Sequence, residues 1–186
     1  MNAKVNPIAE QSKKWLTDSL LQLMEEKPYD AISIKEITDR AQLARRTYYR
    51  NFKSKDDIIS QYCNSLCSQY VSMIQQGKDY SLSSVAKSFY SLWYEHKNFL
   101  ALLRKNNILH IVLNKFNEVL PKIYSNIVGD LSEYDSLEIQ QYALLFSAGG
   151  FYNILSYSLA HDFDKKPEEI ETLVYKVVET FKNLTR

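Results

Sequence analysis

An all-α chain is what three features of this sequence predict. Glycine and proline number four each in 186 residues, too few for the turns of a sheet protein or for glycine-rich phosphate loops. Apolar residues recur at i, i+3 or i+4, and i+7 through most of the chain, the period of an amphipathic helix. Short polar clusters divide these stretches into about nine helices. At 45% hydrophobic content there is ample material for a core, in one large domain or two small ones.

Each helix has a local reason. Asn6-Pro7 is an N-cap followed by proline at the first helical position, and Leu16, Leu20, Leu23 and Met24 then share one face of a helix running to about Glu26. Lys27-Pro28-Tyr29-Asp30 breaks it. Ser33 and Glu36 form an S-x-x-E capping box, with Ile32 and Ile37 at the two positions of a hydrophobic staple, so a short second helix starts at Ser33. Ile34, Ile37 and Ala41 give it one apolar face, and Leu43, Tyr48 and Phe52 continue the buried set beyond a tight turn. Ser54 caps a long helix to about Gln76, whose first turn carries Asp56 and Asp57, the sign the helix dipole favours there. After Gly77, five further helices are expected at about 82–95, 98–105, 107–128, 136–160 and 167–184, the third kinked at Pro121. Two domains result, residues 1–53 and residues 54–186.

The net charge of +1 conceals an uneven distribution. From Arg40 to Lys55 there are six basic residues (Arg40, Arg45, Arg46, Arg50, Lys53, Lys55) and no acidic one, and only this patch is strongly basic. A charge run alone is usually a solvated face. Here it is interleaved with Thr47, Tyr49 and Asn51, all able to hydrogen-bond phosphate, on the second helix of a helix-turn-helix, the helix that enters the major groove. Double-stranded DNA is the expected partner.

The run A-x-L-x-R-R-T-Y-Y-R-N-F-K-S-K-D-D-I-I, preceded by I-S-I-K-E-I-T, resembles the DNA-binding signature of the TetR/AcrR family of bacterial transcriptional regulators, most of all its Firmicutes-type branch. The likeness is close over about the first 60 residues and architectural beyond them. By position it implies base reading by Arg45 and Arg46, a place near base or phosphate for Thr47, and phosphate contacts from Tyr49, Asn51 and Lys55, with Leu43, Tyr48 and Phe52 in the core. Two residues depart from the family's pattern: Gln42 stands where glycine is usual in the turn, and Ala44 where serine or threonine usually caps the recognition helix. A side chain in a left-handed turn costs about 1 kcal/mol, and a missing cap a similar amount. Neither residue faces DNA.

The same resemblance implies a C-terminal domain that dimerises and binds an effector. Residues 136–160 form a nearly uncharged helix that should be buried on most sides. Its Gly149-Gly150 pair costs about 1 kcal/mol per glycine, offset most easily if another helix packs there. The last helix carries a stripe of Leu173, Val174, Val177, Val178, Phe181 and Leu184. Together these two helices look like half of a four-helix interface of a homodimer on a palindromic operator, with Phe146, Gly149, Gly150, Leu173, Val177 and Phe181 as contact residues. The chain holds 14 Tyr, 8 Phe and 2 Trp. Taken singly these are ordinary core; collectively they resemble an apolar effector pocket, for which Tyr62, Phe89, Trp93, Phe116, Tyr124 and Tyr142 are the candidates.

Enzymatic motifs are absent: no H-E-x-x-H, G-x-S-x-G, Walker loop or dinucleotide turn occurs, and His96, His110 and His161 lack ligand spacing. No cofactor or metal is expected. Cys63 and Cys67, at i and i+4, fit core packing rather than a zinc ribbon or a redox C-x-x-C pair. The polar first ten residues and the lack of any long apolar run predict a cytoplasmic protein without a signal peptide or membrane span. The function expected is a dimeric repressor released from its operator by a small apolar or aromatic effector. The alternative is a DNA-bound adaptor or activator with a filled C-terminal core, controlled by a protein partner.

Overall fold

In a computed structural model, which describes residues 6–77, 79, 81–127 and 137–184 and omits the side chains of 120–127, 137, 140, 182 and 184, Asn6 opens the first helix as its type predicts. Its Oδ1 accepts the Ile8 N–H at 3.1 Å, and Pro7 follows at the first helical position of α1 (Pro7–Glu26). A 3-10 turn, Tyr29–Ala31, occupies the expected break. Helix α2 (Ile34–Arg40) has both halves of its capping box: the Glu36 carboxylate accepts the Ser33 N–H at 2.9 Å, and Ser33 Oγ accepts the Glu36 N–H at 3.3 Å. That carboxyl is held down to about 2 by hydrogen bonds from Lys27 and then from Ser33. The staple residues Ile32 and Ile37 are both buried.

Helix α3 (Arg45–Asn51) and the long α4 (Lys55–Gly77) follow; Ser54 Oγ accepts the Asp57 N–H at 3.1 Å at the start of α4. Beyond it lie α5 (Leu82–Glu95), α6 (Lys97–Lys105), α7 (His110–Ile127), α8 (Leu137–Ala160) and α9 (Pro167–Leu184), so the described residues form nine α-helices and no strand. Helix α7 begins three residues later than its polar boundary predicts. Asn107 takes a left-handed φ of 60° and turns the chain before the helix can start. Helix α7 continues through Pro121; the kink expected there and the side chain of Tyr124 fall among side chains outside the described residues.

Helix α1 packs on α2, α3, α4 and α6; α4 leaves this head and packs on α5 and α7. One apolar cluster runs through both parts: Leu16, Ile37, Tyr48, Phe52, Ile58 and Ile59 in the head, Cys63, Leu66, Tyr70 and Ile74 along α4, and Phe89, Trp93, Phe116, Phe151 and Val174 beyond it. Burial pushes the thiols of Cys63 and Cys67 up to about 12 and about 11, which leaves them protonated and unreactive at neutral pH. Helix α9 lies along α5, and α8 lies against α7, with little contact between α8 and α9 themselves among the described residues.

One expectation fails in the single chain. Helix α8 is not buried on most sides: Ile139, Tyr142, Leu145, Phe146 and Tyr157 are exposed, Phe146 to 80%. Helices α5, α6 and α7 cover only one side of it, and an all-round apolar sequence has no polar face to turn outward.

Candidate nucleic-acid interface

The turn between α2 and α3 is closed by backbone bonds from Gln42 N–H to Asp39 C=O at 3.2 Å and from Leu43 N–H to Thr38 C=O at 2.9 Å. This is the Schellman pattern, with the left-handed position taken by Gln42 at φ 54° instead of by glycine. Ala44 at the N-cap offers no side-chain bond to α3. The geometry is therefore the one a glycine and a serine would favour, held by the packing of Leu43, Tyr48 and Phe52 beneath it. Gln42→Gly should stabilise the protein by roughly 0.5–1 kcal/mol and Ala44→Ser by about 1 kcal/mol. Urea denaturation with an unchanged m-value checks both.

Helix α3 divides cleanly. Tyr48 is fully buried, its phenol pushed up to about 12 chiefly by burial, and Phe52 packs beside it. Arg45, Arg46, Tyr49 and Arg50 face outward, and Thr47 is half-buried. Tyr49 is 62% exposed, with its ring edge-on to Tyr48 at 5.3 Å.

Of the six basic residues, two are already spoken for. Arg40 gives both guanidinium arms to Glu26 of α1, at 2.6 and 2.7 Å, and that partner lies outside the stretch that looks free of acids in sequence. Lys55 is turned inward: its ammonium donates to the carbonyls of Tyr29 and Ile32, both at 2.7 Å, and sits 4.6 Å from the centre of the Tyr29 ring. Two of its three protons are thereby committed to backbone, which leaves one for the phosphate contact that the resemblance implies. Asn51 is half-buried, with Nδ2 donating to Thr47 C=O at 2.7 Å. Arg45, Arg46, Arg50 and Lys53 make no side-chain hydrogen bond or ion pair among the described residues and form the cationic face that remains. The sequence alone singles out neither Arg50 nor Lys53 for a role at DNA; their exposure, each four residues beyond an outward side chain (Arg46 and Tyr49), is the signal that finds them.

The end of α3 is braced from α4. Asp57 accepts the Lys53 N–H at 2.9 Å, and Gln61 Nε2 donates to Asn51 C=O at 3.2 Å and to Asp57 at 3.3 Å. Two of these bonds span four residues, and the one from Gln61 to Asn51 spans ten.

Among the described residues the pocket candidates fall in three separate places. Phe89, Trp93 and Phe116 are buried ring against ring, with Phe89 to Phe116 at 4.4 Å and Phe89 to Phe151 at 5.5 Å. Tyr62 packs on Phe99 at 4.8 Å, nearer the head, and Tyr142 is 66% exposed on the outer side of α8. Among the described residues four buried side-chain polar atoms have no partner: the Tyr48 hydroxyl in the head, and Trp93 Nε1 on α5, Asn117 Oδ1 on α7 and Ser156 Oγ on α8, the three helices that carry the aromatic cluster. The candidate interface residues Phe146, Leu173, Val177 and Phe181 are exposed in the single chain. A Cβ built on Gly149 or Gly150 would meet nothing within 4 Å. No group of three or more metal-ligating side chains occurs among the described residues, and no helix among them is long and apolar enough to cross a membrane.

Residues 16–62 match the family model for the bacterial regulatory proteins of the tetR family. The fold is that of the dihydroxyacetone kinase operon activator DhaS (16% identity over 93% of this chain and 97% of that one, TM-score 0.57). It is also that of a TetR/AcrR-type regulator from Aquifex aeolicus VF5 (16%, 91% and 99%, TM-score 0.56) and of the fatty acid degradation regulator FadR from Bacillus halodurans (16%, 94% and 96%, TM-score 0.56). No curated protein matches the sequence. The matched segment runs from the middle of α1 into the first third of α4 and holds the helix that bears the cationic face, so residues 16–62 are a DNA-binding head of the tetR type, on a chain whose fold is that of TetR/AcrR regulators.

Proposed function

We propose that the protein is a homodimeric repressor that binds a roughly palindromic operator through Arg45, Arg46 and Thr47, with phosphates held by Tyr49, Arg50 and Lys53. A small apolar or aromatic effector releases it. The observation that carries the DNA reading is the outward cationic face of α3, left unpaired while Arg40 and Lys55 are taken up internally. Dimerisation is supported by the exposed apolar surface of α8 and α9, larger than single scattered side chains would give. The two recognition helices then reach successive major-groove faces.

The effector reading rests on the three unpartnered atoms of α5, α7 and α8. A buried polar group left unsatisfied costs about 1–3 kcal/mol, and here a donor, an acceptor and a hydroxyl lie on the three helices around the aromatic cluster. An aromatic or apolar compound bearing both a hydrogen-bond acceptor and a donor would satisfy them once the rings part. The close ring packing favours a second reading, a DNA-bound adaptor or activator that answers to a protein partner. Thermal shift against aromatic acids, phenols and acyl compounds separates the two. An effector at 100 times its Kd should stabilise the protein by about 2.7 kcal/mol and release operator in parallel. Stabilisation without release, or none from any compound, favours the partner-protein reading.

A further inference from the structure

Helix α1 ends without help from its own residues. Its last turn carries no basic side chain, and the carbonyls of Met24 and Glu25 fall among those a helix C-terminus leaves unbonded. Partners come from the end of α6, about 80 residues on: Lys105 Nζ donates to Glu25 C=O at 2.7 Å, and Asn106 Nδ2 to Met24 C=O at 3.4 Å. The other atom of the same amide, Asn106 Oδ1, accepts the Tyr29 N–H at 2.8 Å. Tyr29 is in turn tied to α4, its hydroxyl donating to Asp56 at 2.6 Å and its carbonyl accepting from Lys55. The neighbouring Arg104 points the other way and donates to Leu159 C=O, near the end of α8, at 3.1 Å. Three consecutive residues thus join the head to the helix that carries the exposed apolar face.

We infer that Asn106 and Lys105 are positioning residues for operator binding: by closing the end of α1 and holding the Tyr29 turn, they set the angle of the head on the C-terminal helices and so the half-site spacing the dimer reads. This rests on the proposed dimer and operator. An amide suits the place because it supplies an acceptor and a donor a short distance apart, whereas aspartate keeps the acceptor alone and leucine neither. A cation at a helix C-terminus is further favoured by the dipole. Arg104 also ties this junction to α8.

The test is selection of duplexes from a random double-stranded DNA pool by the full-length protein, with spacing between paired half-sites as the readout. Wild type should recover paired half-sites at one spacing. Asn106→Leu should recover the same half-site at two or more spacings and bind the best wild-type duplex about tenfold more weakly. Lys105→Met, at an exposed position outside the core, should widen the spacing in the same sense, which keeps the inference testable if Asn106→Leu fails to fold. Asn106→Asp should fall between. A single unchanged spacing in every folded variant overturns the inference, as does a changed half-site sequence at unchanged spacing. Wild type recovering no paired half-sites overturns the dimer reading and this one together.

Discussion

Phe146→Asp is expected to turn the protein into a helical monomer that no longer distinguishes operator from random DNA. Phe146 is 80% exposed in the single chain and shares its helix with the exposed Ile139, Tyr142 and Leu145, so its removal costs the isolated fold little. In a two-fold dimer the same side chain is buried twice. Burying a phenylalanine is worth about 1.5–3 kcal/mol, so two copies contribute roughly 3–6 kcal/mol and their removal raises the dissociation constant by about a hundredfold or more, before counting the desolvation of two carboxylates. Gly149→Leu is the companion. It adds helix propensity, and its Cβ meets nothing within 4 Å in its own chain, so the main harm is expected from a partner's approach. Sedimentation velocity at micromolar concentration reads both. The dimer assignment fails if wild type sediments as a monomer, or if both variants stay dimeric with full operator affinity.

The second large effect is on sequence discrimination. Arg45 and Arg46 open α3, exposed and unpaired, where a recognition helix meets base edges. An arginine bidentate to guanine discriminates by about 1–3 kcal/mol, and two-fold symmetry doubles it. Arg45→Ala or Arg46→Ala should therefore lower the ratio of operator to random-DNA affinity by at least about tenfold. Lys53→Ala should weaken both DNAs together and reduce the salt slope by about one unit for each phosphate it no longer neutralises. Lys55→Ala is expected to act differently from either. Freeing the Tyr29 and Ile32 carbonyls should lower the melting temperature, with operator affinity following the loss of fold. Equal losses on operator and random DNA for both arginine variants would remove these residues from base reading.

What can be read from the sequence is what lies within a few residues of itself. Asn6, Ser33 with Glu36, and Ser54 cap their helices through bonds spanning two or three positions, and the helix starts they mark are where the chain places them. The strain at Gln42 and the empty cap at Ala44 are legible only against the pattern of the family the head resembles. Partners distant in sequence are not. Nothing near Arg40 announces Glu26, and nothing near Lys55 announces two carbonyls 23 and 26 residues earlier. Tyr142 is expected in the interior because α8 is apolar all round, yet a helix without a polar face carries no periodic signal of which side is in.

The apolar cluster that runs unbroken from Leu16 along α4 to Val174 has a thermodynamic meaning of its own. Ile58 and Ile59 are fully buried and belong to α4, yet they fill the floor of the head. A fragment ending at residue 53 would lose them and expose the apolar side of Tyr48 and Phe52. The head is therefore a unit of recognition without being a unit of folding. Heat or denaturant should melt the protein in one cooperative transition, and amide protection in α3 should rise and fall with the stability of helices it never touches.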